Sequence, residues 1–454
     1  MPGSVLLGST LPGYCQGDTA TKGAFKNEYG IQRGSVMDMP MAPGDPLTPG
    51  YGSTDDAKRI PLSEAKTLTK IPVLPISYHD AKPLLEDLEG PVAPSSWRGA
   101  LPITYHIGPG PAKVHLKLEF NWEQRPAYNV IATMKGSTFP DEWVIRGNHH
   151  DAWVHGASDP ISGLVALMEE ARAVSILVKN GKKPKRTMMY CAWGAEEQGL
   201  LGSTEWVETH AKELKQKTVA YINTDGTGAG FLGAGGSHTL EKFFDQISKS
   251  VMDPQTNVTV FERRNAVQQV SGGAPWSHYE LGALGSGSDY SPFFQHLGIA
   301  SFNMGFGGES SGGEYHTMYD SYKHYKRFKD PNFQYGVTLA KVAGRTSLRM
   351  ANADVLPFEF SHFTKIVNGY KDEVTALADK LRKEANQHNT MIEKGMYALA
   401  NNPKENMKVP DAKANVPHFN FAPLENALEN LEKQSMAFSK ATKSGVSNVK
   451  NKAA

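Results

Sequence analysis

Cysteine is scarce in this sequence: 454 residues carry two, Cys15 and Cys191. Two thiols are too few for a disulfide framework, and Cys191 sits in the apolar run MMYCAW, where a buried thiol is the default. Long apolar runs are also missing, and none reaches the roughly 18 residues a membrane-spanning helix needs. Neither sign of charge is in excess, because 48 Lys and Arg face 47 Asp and Glu, for a net charge of +1. Without a basic stripe, that balance argues against nucleic acid as a partner. The opening stretch MPGSVLLGSTLPGYC has no positive leader and only a weak apolar segment, so no signal peptide is read there. The length exceeds what one core usually organises, so two or three domains are expected.

What is present falls into three stretches. Residues 1–125 are rich in Pro and Gly, with alternating segments such as KVHLKLEF that read as short strands. From Tyr128 to about Met350, strand-like runs (NVIAT, WVIRG, MMYCAW, VAYIN) alternate with helical ones (ISGLVALMEEARAVSILV, LEKFFDQISKSV). That alternation predicts an α/β sheet with helices on both faces. Beyond Leu356 the period is helical, with Phe363, Val367, Tyr370, Val374, Leu377 and Leu381 in one stripe and Leu424, Leu428 and Leu431 in another. Such stripes are core or partner interface. The boundaries expected are 1–125, 126–350 and 351–454, and the last fifteen residues, rich in Lys, Ser and Asn, read as a frayed tail.

The chemistry-bearing residues are His149, Asp159, Glu197, Asp225 and His316, with Glu196 beside the third. Zinc takes imidazole nitrogen and carboxylate oxygen, and a catalytic site leaves a position open for water. Two such ions about 3.5–4 Å apart can share one carboxylate. Five ligands, one of them bridging, then supply three to each ion. Taken singly, each residue reads as an ordinary loop residue, and Glu196–Glu197 as an acidic helix start. Their placement speaks against that. The runs EWVIRGNHHD with the loop after it, RTMMYCAWGAEE and TVAYINTD place four of the five at or just beyond the ends of strands, where ligands of an open α/β sheet collect. Asp151 is placed to accept the remaining imidazole N–H of His149 and fix its tautomer, or else is a solvated loop acid. His150 is a rival ligand to His149. Glu205 and Glu208 stand three apart on LLGSTEWVETH, hence on one helix face, either as a plain acidic surface or as a pair of cation ligands. Gly228-Ala229-Gly230-Phe231-Leu232-Gly233 fits a dinucleotide-binding turn, but the helical run begins too late and Asp225 would face the phosphates.

The segments HHDAWVHGASDPISG, AWGAEEQGLLGSTEW, AYINTD, LGSGSDYSPFFQHLGIAS and EYHTMYDSY resemble glutamate carboxypeptidase II and its relatives. This is the transferrin-receptor-like branch of the di-zinc aminopeptidase/carboxypeptidase family. The resemblance runs from about Gly44 to the C-terminus, and more weakly from Gln32–Gly34. It implies an α/β fold: a zinc-peptidase core with a central mixed sheet flanked by helices. A partial, β-rich protease-associated (apical) domain would precede it, and a helical C-terminal dimerisation domain would follow, making the chain a homodimer. The family's first core strand and helix and half of the apical domain have no counterpart here. The location implied is extracytoplasmic. Carried over residue by residue, His149 and Asp225 would hold one zinc, Glu197 and His316 the other, and Asp159 would bridge. The family spacing to Asp159 selects His149 over His150. Glu196 would be the general base, taking a proton from the attacking water and passing it to the leaving amine. Tyr315 would hydrogen-bond the substrate carbonyl. Thr48 and Tyr51 match residues that join Glu205 and Glu208 at a structural calcium, which takes roughly six to eight oxygens. The Asp159–Pro160 bond is a candidate cis bond, since the bridging carboxylate must turn back sharply over both ions.

Departures from the pattern bear on substrate. Relatives that prefer acidic residues carry two arginines where this chain has Asn303 and Gly305, and no Lys or Arg lies between Ala300 and His316. In GSGSD, Ser288 follows Gly287 in place of the family asparagine, and Ser35 replaces another. The terminal-glutamate grip has no clear match, although Lys408 and Lys413 lie nearby. Strict acidic specificity is therefore not expected. Gly287, Ser288, Phe302 and Asn303 are the pocket candidates, with Phe302, Met304 and Phe306 suggesting an apolar pocket or simply packed anchors. Two other functions fit the resemblance: an aminopeptidase on short peptides, or a non-catalytic binding protein like the transferrin receptor. The retained ligand set speaks against the second.

Overall fold

The computed structural model describes residues 18–443 apart from 21, 100, 310–311 and 405–407, so Cys15, the opening stretch and most of the expected tail lie outside the described residues. Six strands form one sheet: β1 (Val130–Met134), β2 (Phe139–His149), β3 (Arg186–Trp193), β4 (Thr218–Asn223), β5 (Gly230–Gly236) and β6 (Ser301–Gly308), in the order β1-β3-β2-β4-β6-β5. The inner four run parallel, and the edge strands β1 and β5 run antiparallel to their neighbours. The near-continuous burial of RTMMYCAW in β3 and of Val144–His149 in β2 is what strands covered on both faces show.

Helices supply that cover. Among the described residues the helices are α1 (Tyr78–Glu86), α2 (Ile161–Lys179), α3 (Leu201–Lys217), α4 (Glu241–Ser248), α5 (Val260–Val270), α6 (Tyr322–His324), α7 (Gln334–Asn352), α8 (Phe360–Glu393), α9 (Met396–Ala400) and α10 (Ala422–Lys443). Of these, α2, α3, α5 and α7 pack most extensively on the strands. Side chains alternate across a strand. Ile145, Met189, Cys191, Trp193 and Tyr221 therefore share one face and pack with Val207 and Leu214 of α3. The opposite face carries Arg146, whose Nε donates to Glu170 of α2 at 3.0 Å, while the Glu170 Oε1 accepts from Ser347 of α7.

The same alternation corrects one expectation. Phe302, Met304 and Phe306 are 0, 3 and 6% exposed, and Phe302 and Phe306 pack on Phe244 and Tyr335. They are core side chains of β6 and form no apolar pocket, which leaves Asn303 and Gly305 on the other face. The glycine-rich segment is also strand: β5 begins at Gly230, where a Cβ would lie 2.1 Å from the Gly307 carbonyl oxygen. No helix opens there, as a dinucleotide site would require.

The β-rich reading of the first 125 residues is corrected too. Among the described residues this stretch holds α1, two short 3-10 turns and isolated bridges, but no strand. KVHLKLEF alternates as a strand would, yet Val114, Leu116 and Phe120 are exposed. Alternation makes a strand only where a neighbour takes up its N–H and C=O groups.

The chain divides into two units, Met1–Pro357 and Phe358–Ala454. The second contains α8, α9 and α10, with α8 and α10 packed on each other and the Phe360 and Phe438 rings 5.3 Å apart. Of the expected stripe, Tyr370, Val374, Leu377 and Leu381 are exposed. The first residues of the expected tail continue α10 as far as Lys443.

Candidate metal centre

Parallel strands end on one edge of the sheet, and the candidate residues gather there. His149 is the last residue of β2, Glu196 and Glu197 follow β3, and Asp225 follows β4. The loop after β6 brings His316. The His149 Nε2 lies 3.0 Å from Asp225 Oδ1 and 3.3 Å from Asp159 Oδ1. The His316 Nε2 lies 3.1 Å from Glu197 Oε2 and 3.2 Å from Asp159 Oδ2. Asp159 therefore turns one oxygen to each imidazole, and each imidazole has a second carboxylate of its own. Glu196 approaches from the side, its Oε2 3.9 Å from His149 Nε2. Ligand atoms of His149, Glu196 and Asp225, and of His149, Asp159 and Glu197, lie within 4.8 Å of one another. The Asp159–Pro160 bond is cis.

The supporting contacts fix these side chains in orientation. The Nδ1 of His149 meets the Asp151 main-chain carbonyl at 3.2 Å, while the Asp151 carboxylate stands farther off at 3.6 Å. That carboxylate instead accepts the N–H groups of Glu196 and Glu197 at 3.0 and 3.2 Å. It holds the turn that presents both glutamates, and the turn needs holding, because Ala195 has φ +55°. His316 also has a positive φ of +56°. It is clamped by Arg33, whose carbonyl meets His316 Nδ1 at 2.8 Å and whose N–H donates to the His316 carbonyl at 3.0 Å. No motif in the sequence signalled this clamp. His150 turns away, its Nε2 3.0 Å from the Tyr128 carbonyl. Tyr315 is half-exposed, its ring stacked on His316 at 3.6 Å.

The electrostatics fit a cation site. Four carboxylates crowd two imidazoles. Burial pushes the Glu196 carboxyl well above its ordinary range, helped by Asp289, Asp225 and Glu197 and opposed by His149. Glu197 is raised in the same way, by burial first. Burial opposes protonation of the imidazoles, but Asp225, Asp151 and Asp159 outweigh it at His149, which is raised well above its usual value. Asp159 and Glu197 do the same at His316, pushed up to about 9. Nitrogen and carboxylate donors with surplus negative charge suit zinc.

Residues 129–334 match the model of peptidase family M28. The chain carries a peptidase family M28 domain. It is 35% identical to a probable glutamate carboxypeptidase VP8 of Zea mays over 80% of this chain and 50% of that protein. It is 32% identical to the aminopeptidase NAALADL1 of Mus musculus over 84% and 53%. A probable glutamate carboxypeptidase of Arthroderma benhamiae is 38% identical over 84% and 51%. The chain spans about half the length of these relatives.

Beyond its centre, the M28 domain gathers a second acidic cluster. Glu205 Oε1 accepts the Asp45 N–H at 2.6 Å, and Oε2 accepts the Ser53 N–H at 2.6 Å and the Thr48 hydroxyl at 3.3 Å. Burial pushes Glu205 up to about 7 and Glu208 up to about 8. Tyr51 turns its hydroxyl to the Lys58 carbonyl. Asp45, not singled out from the sequence, accepts the Ser53 hydroxyl at 2.7 Å. Of the pocket candidates, Gly287 faces open space at φ +111°. Asn303 shares its face with the centre, and its Oδ1 accepts from Asn223 at 3.1 Å. Ser288 is buried and donates to Asp225 Oδ2 at 3.1 Å, so its hydroxyl serves the centre and not the pocket. Among the described residues no helix is long and apolar enough to cross a membrane.

Proposed function

We propose that this chain is a zinc-dependent exopeptidase that hydrolyses peptide bonds near a chain terminus. The observation that carries it is Asp159, with its two oxygens 3.3 and 3.2 Å from two different histidines, each bracketed by its own carboxylate. His149, Asp225 and Asp159 would hold one zinc, and His316, Glu197 and Asp159 the other. When bound, the pair would polarise a scissile carbonyl and activate water at neutral pH. Glu196 accepts the proton of that water and returns it to the leaving amine. Beside two dications this buried carboxyl would stay ionised, as a base must be. Tyr315, half-exposed beside His316, donates its hydroxyl to the carbonyl oxygen as charge builds there.

The similarity to both glutamate carboxypeptidases and an aminopeptidase leaves two modes of attack. Asn303 and Gly305 in place of two cations support a permissive specificity and not a strictly acidic one. The test is mass spectrometry of an N-blocked peptide and its C-amidated twin with purified, zinc-loaded protein. Cleavage of the N-blocked peptide alone is the carboxypeptidase outcome, and cleavage of the amidated twin alone the aminopeptidase one. A wild-type protein that takes up no zinc and cleaves neither would overturn the reading.

Three accessory features go with this reading. A structural calcium at Glu205, Glu208 and Thr48, with Asp45 alongside, would tie residues 44–53 to α3. The exposed stripe of α8 supports a homodimer contact. An extracytoplasmic location follows from family resemblance.

A further inference from the structure

Behind Asp225 runs a line of buried polar side chains with a single direction. The Trp193 indole N–H donates to the Tyr221 hydroxyl oxygen at 2.9 Å. The one hydroxyl hydrogen of Tyr221 goes to Asn223 Oδ1 at 2.8 Å. That fixes the amide, so Asn223 Nδ2 points onward, to Ser288 Oγ at 2.9 Å and Asn303 Oδ1 at 3.1 Å. The one hydrogen of Ser288 goes to Asp225 Oδ2 at 3.1 Å. An indole can only donate and a carboxylate can only accept, so no member of the line can reverse. Asp225 Oδ1 is left facing His149 Nε2 at 3.0 Å.

We propose that Trp193, Tyr221, Asn223 and Ser288 form a positioning relay that holds Asp225 as a one-oxygen metal ligand. The proposal rests on the zinc-peptidase reading above. Trp193, Tyr221 and Asn223 are 0% exposed and Ser288 is 3%. A buried polar group costs stability unless paired, and phenylalanine would fill the Tyr221 position without that requirement. Two further features of the fold serve the relay. Tyr221 is stacked on Phe293 with ring centres 3.9 Å apart, which fixes the phenol. On the neighbouring strand, position 147 is glycine, where a Cβ would lie 2.0 Å from the Tyr221 hydroxyl and 2.6 Å from the Trp193 indole nitrogen. The strand that ends in His149 thus leaves room for the groups that orient Asp225. Desolvation raises the Tyr221 hydroxyl well above its usual value, which keeps it a donor at neutral pH.

The experiment compares wild type with Ser288→Ala, Ser288→Thr and Tyr221→Phe in the full chain. Zinc content is read by elemental analysis, zinc affinity by competition with a chelator, and the unfolding midpoint on zinc-free protein. Partners of ligands are typically worth about 10–100-fold in metal affinity. Ser288→Ala is expected to weaken one of the two zinc ions by about that factor, with the zinc-free midpoint unchanged, and Ser288→Thr to restore it. Tyr221→Phe, which removes the donor to Asn223, weakens the same ion. Wild-type affinity for both ions in Ser288→Ala and Tyr221→Phe overturns the relay, whether or not the zinc-free midpoints fall. Wild-type protein that binds no zinc fails the metallopeptidase reading itself, and the relay with it, a result separable from the first.

Discussion

At the scale of single residues, the two adjacent glutamates divide the work by direction. Glu197 turns to His316, 3.1 Å away, while Glu196 stands off at 3.9 Å from His149. Glu196 is thus the carboxylate that pairs closely with neither imidazole. Glu196→Gln keeps the shape and removes the base, so zinc content is expected to stay near two per chain. Turnover should fall by about 10²–10⁴, the usual worth of general acid–base help. Elemental analysis beside kcat checks it, and full activity in the variant would show that another group moves the proton. These residues were legible in the sequence because each follows an apolar run that had to be a strand. The contacts of Ser288 and Asp151 were not legible, for a different reason. Sequence gives the donor and acceptor types but not their partners, and Asp151 spends its carboxylate on two backbone N–H groups.

At the scale of elements, residues 24–33 bind the loop that carries His316. Lys26 N–H donates to the Gly312 carbonyl at 2.7 Å, and Arg33 closes the pair with His316. The Tyr319 hydroxyl donates to Asn27 at 2.8 Å, and the His324 Nε2 meets the Ala24 carbonyl at 2.8 Å. A histidine at φ +56° persists only when its surroundings over-determine it. Because the Arg33 contacts with His316 are main-chain, Arg33→Ala is expected to leave metal binding intact, whereas Arg33→Pro removes the donor N–H. We expect Arg33→Pro to lose the ion on the His316 side, with zinc falling toward one per chain. Two ions at wild-type affinity in Arg33→Pro would show that the clamp does not set this histidine. Strands β1 to β4 and helices α2 and α4 followed from periodicity, although β5 and β6 were not read as strands. The clamp did not, because main-chain hydrogen bonds across nearly three hundred residues leave no mark on side-chain pattern.

At the scale of the whole molecule, the acidic cluster on α3 links local charge to global stability. Glu205 and Glu208 have an ordinary value of 4.5, and burial raises them to about 7 and about 8. Between those values the folded chain binds more protons than the unfolded one. The stability they contribute is therefore complete below about pH 4.5 and is lost as pH rises through 7 and 8. A calcium ion favours the ionised pair and opposes that loss. The expected signature is a difference between wild type and the Glu205→Gln/Glu208→Gln variant. Without calcium, the wild-type Tm should drop relative to the variant as pH goes from about 5 to about 8. Added calcium at the upper pH should raise the wild-type Tm and leave the variant unmoved. Thermal denaturation of both proteins with calcium and with chelator reads this directly. Equal pH slopes would refute the buried, raised glutamates. Equal responses to calcium would leave α3 with a proton-binding pair and no ion, and residues 44–53 held to the M28 domain by hydrogen bonds, those of Glu205 and that of the Gly44 N–H to the Gly199 carbonyl among them.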